Sequence, residues 1–207
     1  VFSRLRITAS GRYDKNQNFT GRFTPRVTAV IKVAENNNVR LSYQTAYRFP
    51  SNQHQFINLV VGSNVRLIGS NPSFRTFFNF AGRPLYDFES LRKGQIVAYK
   101  TENEKPESLS SFEAGYKGLL MDGKLLIDLY GYYGKYRDFI GRRVAVQSLT
   151  GAPITLADTA KGFRYSIPVN STAKVTTYGF GASFDLKLPY NFLLSANGSS
   201  DNLKDVP

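Results

Sequence analysis

The sequence predicts an all-β protein, an antiparallel up-and-down transmembrane β-barrel segment of about seven strands, with short periplasmic turns and long extracellular loops. Two observations predict it. Runs of roughly the 9–11 residues that a tilted strand needs to cross a bilayer alternate between apolar and polar side chains. The connections between those runs then alternate between short and long. Composition agrees with both, because the chain carries 16 Phe and 13 Tyr and no run of about 18 apolar residues that could form a membrane helix.

Residues 4–13 set the pattern. Leu5, Ile7, Ala9 and Tyr13 fall on one face of a strand, and Arg4, Arg6, Thr8, Ser10 and Arg12 on the other. The second segment, 23–33, sends Phe23, Pro25, Val27, Ala29, Ile31 and Val33 one way and Thr24, Arg26, Thr28, Val30 and Lys32 the other. Pro25 has no amide hydrogen and is expected near a strand start or at a bulge. A polar turn at 35–38 leads to the third segment, 39–48, with Val39, Leu41, Tyr43 and Tyr47 opposite Arg40, Ser42, Gln44 and Arg48. The connection at 14–22 reads as intermediate in length.

Residues 49–106 hold no sustained periodicity and read as a long loop, with one or two helical turns expected at 86–93 behind a capping Asp87. Alternation resumes at Ser111, placing Phe112, Ala114 and Tyr116 against Glu113 and Lys117. Asp122-Gly123 marks a hairpin turn. Beyond it Leu125, Ile127, Leu129 and Tyr133 face away from Asp128, Tyr130 and Tyr132. A second long loop spans 141–173, followed by strands near 175–187 and 192–200 joined by a tight turn at 188–191. Residues 1–207 thus read as part of one β-barrel domain. Seven is an odd count where bacterial single-chain barrels have an even one, so the chain is expected to be a fragment that does not close by itself.

The net charge of +12 raises nucleic-acid binding, but Lys and Arg are scattered along strand faces rather than gathered in a block. A basic lumen or rim meeting anionic lipids or solutes fits the alternation better. The chain has no cysteine, hence no disulfide or thiolate site, and a single histidine, His54, expected in solvent. Nothing marks a nucleophile elbow, and Gly179 and Gly181 read as small strand residues rather than a phosphate loop. The chain is expected not to be an enzyme, and no cofactor or metal is expected. Glu113, Asp128 and Asp185 are expected to pair with Lys117 and the arginines of the same face. Tyr13, Tyr47, Tyr133 and Tyr178 are expected to form an interface girdle.

Several motifs carry a resemblance. Arg12-Tyr13-Asp14-Lys15-Asn16 with Phe23-Thr24-Pro25-Arg26-Val27 resembles paired strands of TonB-dependent outer-membrane receptors. So does Arg40-Leu41-Ser42-Tyr43-Gln44-Thr45-Ala46-Tyr47-Arg48-Phe49-Pro50. The most specific match is Lys105-Pro106-Glu107-Ser108 with Phe112-Glu113-Ala114-Gly115-Tyr116-Lys117-Gly118, which is similar to a signature opening a strand in the later half of those barrels. The resemblance implies a plugged barrel of about 22 strands that takes up nutrients, of which this chain would be a wall segment without plug or C-terminal end. It also implies the outer membrane of a Gram-negative bacterium as location. The partners implied are outer-membrane lipids, the rest of the barrel and its plug, TonB through an N-terminal part, and a small ligand; no nucleic acid is expected. Arg4, Arg6, Arg26, Arg40, Gln44, Arg48, Glu113, Lys117 and Asp128 are the candidates to line the lumen. A small passive outer-membrane barrel or adhesin, and a soluble basic β-domain binding anionic polymers, stay open as alternatives.

Overall fold

The computed structural model describes residues 4–62, 64–155 and 162–206, which divide into two compact units. Thirteen strands are numbered in chain order. The first unit is an open sheet of β1 (Leu5–Asn16), β2 (Phe19–Ala34), β3 (Asn37–Arg48), β8 (Glu107–Leu120), β9 (Leu125–Arg137), β12 (Thr176–Lys187) and β13 (Leu193–Lys204), in that spatial order. Seven strands in an up-and-down meander match the expected architecture, and β1 and β13 are its edges.

The strands run to 12–16 residues, longer than the alternation suggested, because the pairing continues into polar residues at both ends. One consequence is a correction. Since β1 continues to Asn16 and β2 begins at Phe19, the 14–22 connection shrinks from intermediate length to the two-residue turn Gln17-Asn18. At the opposite end, Asn36 adopts a left-handed backbone (φ 59°) between β2 and β3. Met121, Asp122 and Gly123 do so between β8 and β9, where Gly123 carries the largest φ, 83°. The 188–191 turn also forms, with Leu188 N–H donating to the Phe192 carbonyl at 2.8 Å.

Pro25 lies seven residues into β2, neither at its start nor at a bulge. It pairs with Gly11 on the β1 side. On the β3 side its carbonyl accepts the Thr45 hydroxyl at 3.2 Å, and the ladder with β3 begins only at Arg26–Gln44. A strand residue directs its N–H and C=O to the same side, so the missing amide hydrogen ends the β2–β3 ladder there.

The register puts each face in lateral rows. Phe112, Tyr133 and Tyr178 align, as do Tyr116, Leu129 and Ala182, and Leu120, Leu125 and Leu186. The other face carries Glu113, Tyr132, Gly179 and Asp201 in one row and Lys117, Asp128, Ser183 and Asn197 in another. The apolar face is uncovered: Ile7, Phe23, Phe112 and Phe180 are each 61–64% exposed.

The second unit comprises residues 49–107 and 138–171. The sequence reading saw no strands there, but the chain forms a six-stranded sheet. Its members are β4 (Asn58–Val61), β5 (Val65–Ile68), β6 (Leu85–Asp87), β7 (Ala98–Tyr99), β10 (Ile140–Gln147) and β11 (Phe163–Asn170), in the order β4-β5-β11-β10-β6-β7. The β5–β11 pair is parallel and the others are antiparallel. Ile68, Leu85, Ala145, Tyr165 and Ile167 form a buried core, flanked by Phe74, Phe78, Phe80 and Phe163. Among its short helices, the one at Phe88–Arg92 is the expected one, capped by Asp87, whose carboxylate accepts Ser90 N–H at 2.9 Å.

Candidate functional site

Alternation along β1, β2, β3, β8 and β9 puts the sequence-predicted lumen candidates on one face, and the register sorts them into groups. A recess of about 490 Å³ is lined by Arg4, Arg6, Lys32, Arg40, Lys117 and Asp128. Arg40 donates to Glu113 Oε1 at 2.7 Å, tying β3 to β8, and Lys117 Nζ lies 3.1 Å from Asp128 Oδ2, tying β8 to β9. These are the expected partners for Glu113 and Asp128. Both pairs are solvent-exposed, so they contribute little stability and act by fixing side-chain positions. Arg6 stands opposite Val30, which stands opposite Arg40. Four cations thus converge with Lys117 on one recess against a single lining carboxylate, Asp128. Arg26 and Gln44 are direct cross-strand partners higher on the same face, beside Ser10, and Arg48 ends β3. Neither Arg26, Gln44 nor Arg48 lines the recess.

A cationic wet face and a bare apolar face on one meander of long strands is the arrangement of a barrel wall. A family model described as "TonB dependent receptor-like, beta-barrel" matches residues 1–205. The chain belongs to the TonB-dependent receptor β-barrel family. This is a family of receptors and transporters rather than enzymes. Among solved structures, the chain is similar to the siderophore receptor PirA from Pseudomonas aeruginosa, with a TM-score of 0.65 and 14% identity over 98% of this chain and 32% of that one. It is also similar to the siderophore receptor PirA from Acinetobacter baumannii, with a TM-score of 0.57 and 16% identity over 98% of this chain and 26% of that one. The chain spans a third or less of the length of those receptors. No curated protein sequence matches it.

Within the seven-stranded sheet the polar face holds residues that sequence reasoning passed over. Tyr132 reaches across β12 and donates to Asp201 Oδ1 on β13 at 2.6 Å. It passes over Gly179, and Tyr130 passes over Gly181, where an added Cβ would collide with either ring. The two glycines, read only as small strand residues, make room for these tyrosines. The signal lay in the matching i, i+2 spacing of the two pairs. Lys32 and Asn38 were likewise passed over and line the recess.

The second unit holds its own polar cluster. His54 is not loose in solvent: its Nδ1 lies 3.5 Å from Glu104 Oε1, and its side chain is one-third exposed. The Glu104 carboxylate is buried and accepts the Ser70 hydroxyl at 2.6 Å. Arg142 donates to the Ile68 and Ser166 carbonyls and to Ser166 Oγ. Burial lowers its pKa from the usual arginine value, with Glu104 opposing. Burial also raises the Tyr165 pKa, against Arg66 and Arg83. Arg66 lies over the rings of Phe78 and Phe163 at 5.1 and 5.4 Å, and Arg164 over Phe88 at 4.6 Å. Among the described residues no three His, Cys, Asp or Glu side chains gather as a metal site.

Proposed function

We propose that this chain is a wall segment of a TonB-dependent transporter in the outer membrane of a Gram-negative bacterium. Its polar face lines the plugged lumen and its apolar face meets lipid. The observation that carries this is the segregation of side chains. Every charged residue of β2 and β3 lies on the face of Arg40 or in the turns, while Ile7, Phe23, Phe112 and Phe180 stay bare on the other. In water that bare face would be unfavourable by roughly 25 cal/mol for each Å² of apolar surface; in a bilayer it is neutral.

Residues 49–107 and 138–171 form the ligand entrance in this reading, and the ligand is a siderophore complex, the class named for both PirA receptors. Supporting this, Arg66 and Arg164 are held against aromatic rings, a surface suited to anionic and aromatic chelates. TonB and the plug act through other parts of the whole receptor. Family membership supports a receptor or transporter over the polymer-binding and passive-barrel alternatives.

The test is the native protein carrying this sequence, extracted from purified outer membranes and run with and without boiling. A heat-modifiable band several times the 23.2 kDa of this chain is expected. A soluble species of that mass, indifferent to heating, would overturn the reading.

A further inference from the structure

The apolar face is not uniform along its length. On β1, β2 and β3 its alternating positions carry one charge, Lys15, where the β1–β2 register shifts beside the Gln17-Asn18 turn. On β8, β9, β12 and β13 they carry three charges, Lys135, Arg137 and Lys204, all cationic and all at the end where residues 138–171 leave the sheet. The acids of these strands beyond Glu107, namely Glu113, Asp128, Asp185 and Asp201, occupy the opposite face. Register places Ser110, Lys135, Thr176 and Lys204 in one row across four strands. Immediately below stand Phe112, Tyr133 and Tyr178, with Lys135 Nζ 5.7 Å from the Tyr133 ring and Lys204 Nζ 5.3 Å from the Tyr178 ring. From Lys135 down to Leu125 is ten residues, about 25 Å of membrane depth for a strand tilted by roughly 40°, the height of a barrel's apolar band. The row therefore sits where a headgroup would.

Below the Ser110–Lys135 half of this row a groove of about 740 Å³ runs across β2, β3, β8 and β9, lined by Ala29, Ala114 and Gly131 with Leu41, Tyr43 and Phe112, and Glu113 of the opposite face also borders it. Tyr133, which also lines the groove, links it to Lys135. Small residues flanked by aromatics leave a channel here, and it ends beside a cationic, hydroxyl-bearing row that no acid of the sheet shares among the described residues.

We propose that this is a binding site for a phosphate-bearing acyl lipid of the surrounding leaflet. The phosphate sits between Lys135, Thr176 and Lys204, and an acyl chain lies in the groove over Ala114 and Gly131. The proposal rests on the reading of the apolar face as lipid-facing. Charge complementarity selects the occupant: two lysines held above rings, two neighbouring hydroxyls and an apolar channel match an anionic headgroup on a hydrocarbon tail.

The experiment uses the whole receptor in bilayer nanodiscs of phosphatidylcholine containing a minor fraction of phosphatidic acid. Lipid retained after detergent extraction is quantified by mass spectrometry. The wild type is expected to retain phosphatidic acid over phosphatidylcholine, and Lys135→Gln with Lys204→Gln to reduce that preference about thirtyfold, the product expected for two lysines near a membrane surface. Inorganic phosphate should fail to displace the lipid; complete displacement would show a free-anion site and overturn the lipid assignment. Both lysines are exposed, and an unchanged heat-modifiable band would show that the variant folds. A bimane on Leu129→Cys, quenched by brominated acyl chains, reads the face separately. Quenching with equal retention by variant and wild type overturns the lipid site alone. Absence of quenching overturns the lipid-facing reading and the site with it.

Discussion

The two units solve opposite problems with the same amino acids. Among the described residues, all of the buried apolar ones except Val175 belong to the second unit, including Ile68, Leu85, Val146 and Ile167. The seven-stranded sheet instead leaves Ile7, Phe23, Leu41, Phe112, Leu129 and Phe180 exposed. The second unit is organised by water: apolar side chains turn inward and their release from solvent holds short strands together. On the proposed function the sheet is organised for a medium that is itself apolar, where satisfied backbone hydrogen bonds matter and inward burial does not. Hydrophobicity alone therefore does not locate a core; the surroundings decide which side is inside.

This contrast can be broken or sharpened by substitution. The largest effect is expected in the second unit, where Leu85→Ala should remove about 2–5 kcal/mol. Hydrogen exchange should then speed up across β6 and β10 while β1, β2 and β3 keep their protection. Equal loss in both units would mean that they do not fold separately. Next comes Ile31→Arg on the apolar face, expected to cost about 2–4 kcal/mol in a membrane unfolding titration because a charge enters hydrocarbon. Thr28→Arg, on the polar face of the same strand, should cost under about 1 kcal/mol; comparable losses for the two would refute the facing assignment. Asp87→Ala removes a cap from the helix at Phe88–Arg92, and thermal melting of the whole receptor should report about 1 kcal/mol. The smallest effect is expected for Arg40 and Glu113. A double-mutant cycle to Ala should give a coupling of about 0–1 kcal/mol, since the pair is solvent-exposed. A coupling above about 2 kcal/mol would show that a covered lumen shields it.

Most of the sheet was legible because period-two alternation is a local property. Residues 39–48 declare their two faces without reference to any other strand, and so do 125–133. Strand ends were less legible, as with Asn16 and Phe19, because polar residues continue the pairing beyond the apolar band. The second unit was illegible for a different reason. Its strands are two to eight residues long, and two of their pairings span long separations, Val65 with Arg164 and Tyr86 with Val146. No periodicity accumulates over such lengths, and parallel pairing leaves no turn to announce it. For the candidate site, face membership could be read from parity, but which cation meets which acid could not. Arg40 and Glu113 are separated by the whole of residues 49–107, and only the neighbouring of β3 and β8 across that gap brings them together.

The two edge strands have a practical consequence for anyone producing this polypeptide by itself. β1 and β13 each present twelve residues with one side of the backbone unpaired. Neither has an internal proline or a covering helix to blunt it among the described residues. Expressed without flanking sequence, copies should join edge to edge into ribbons, and the product should accumulate as inclusion bodies.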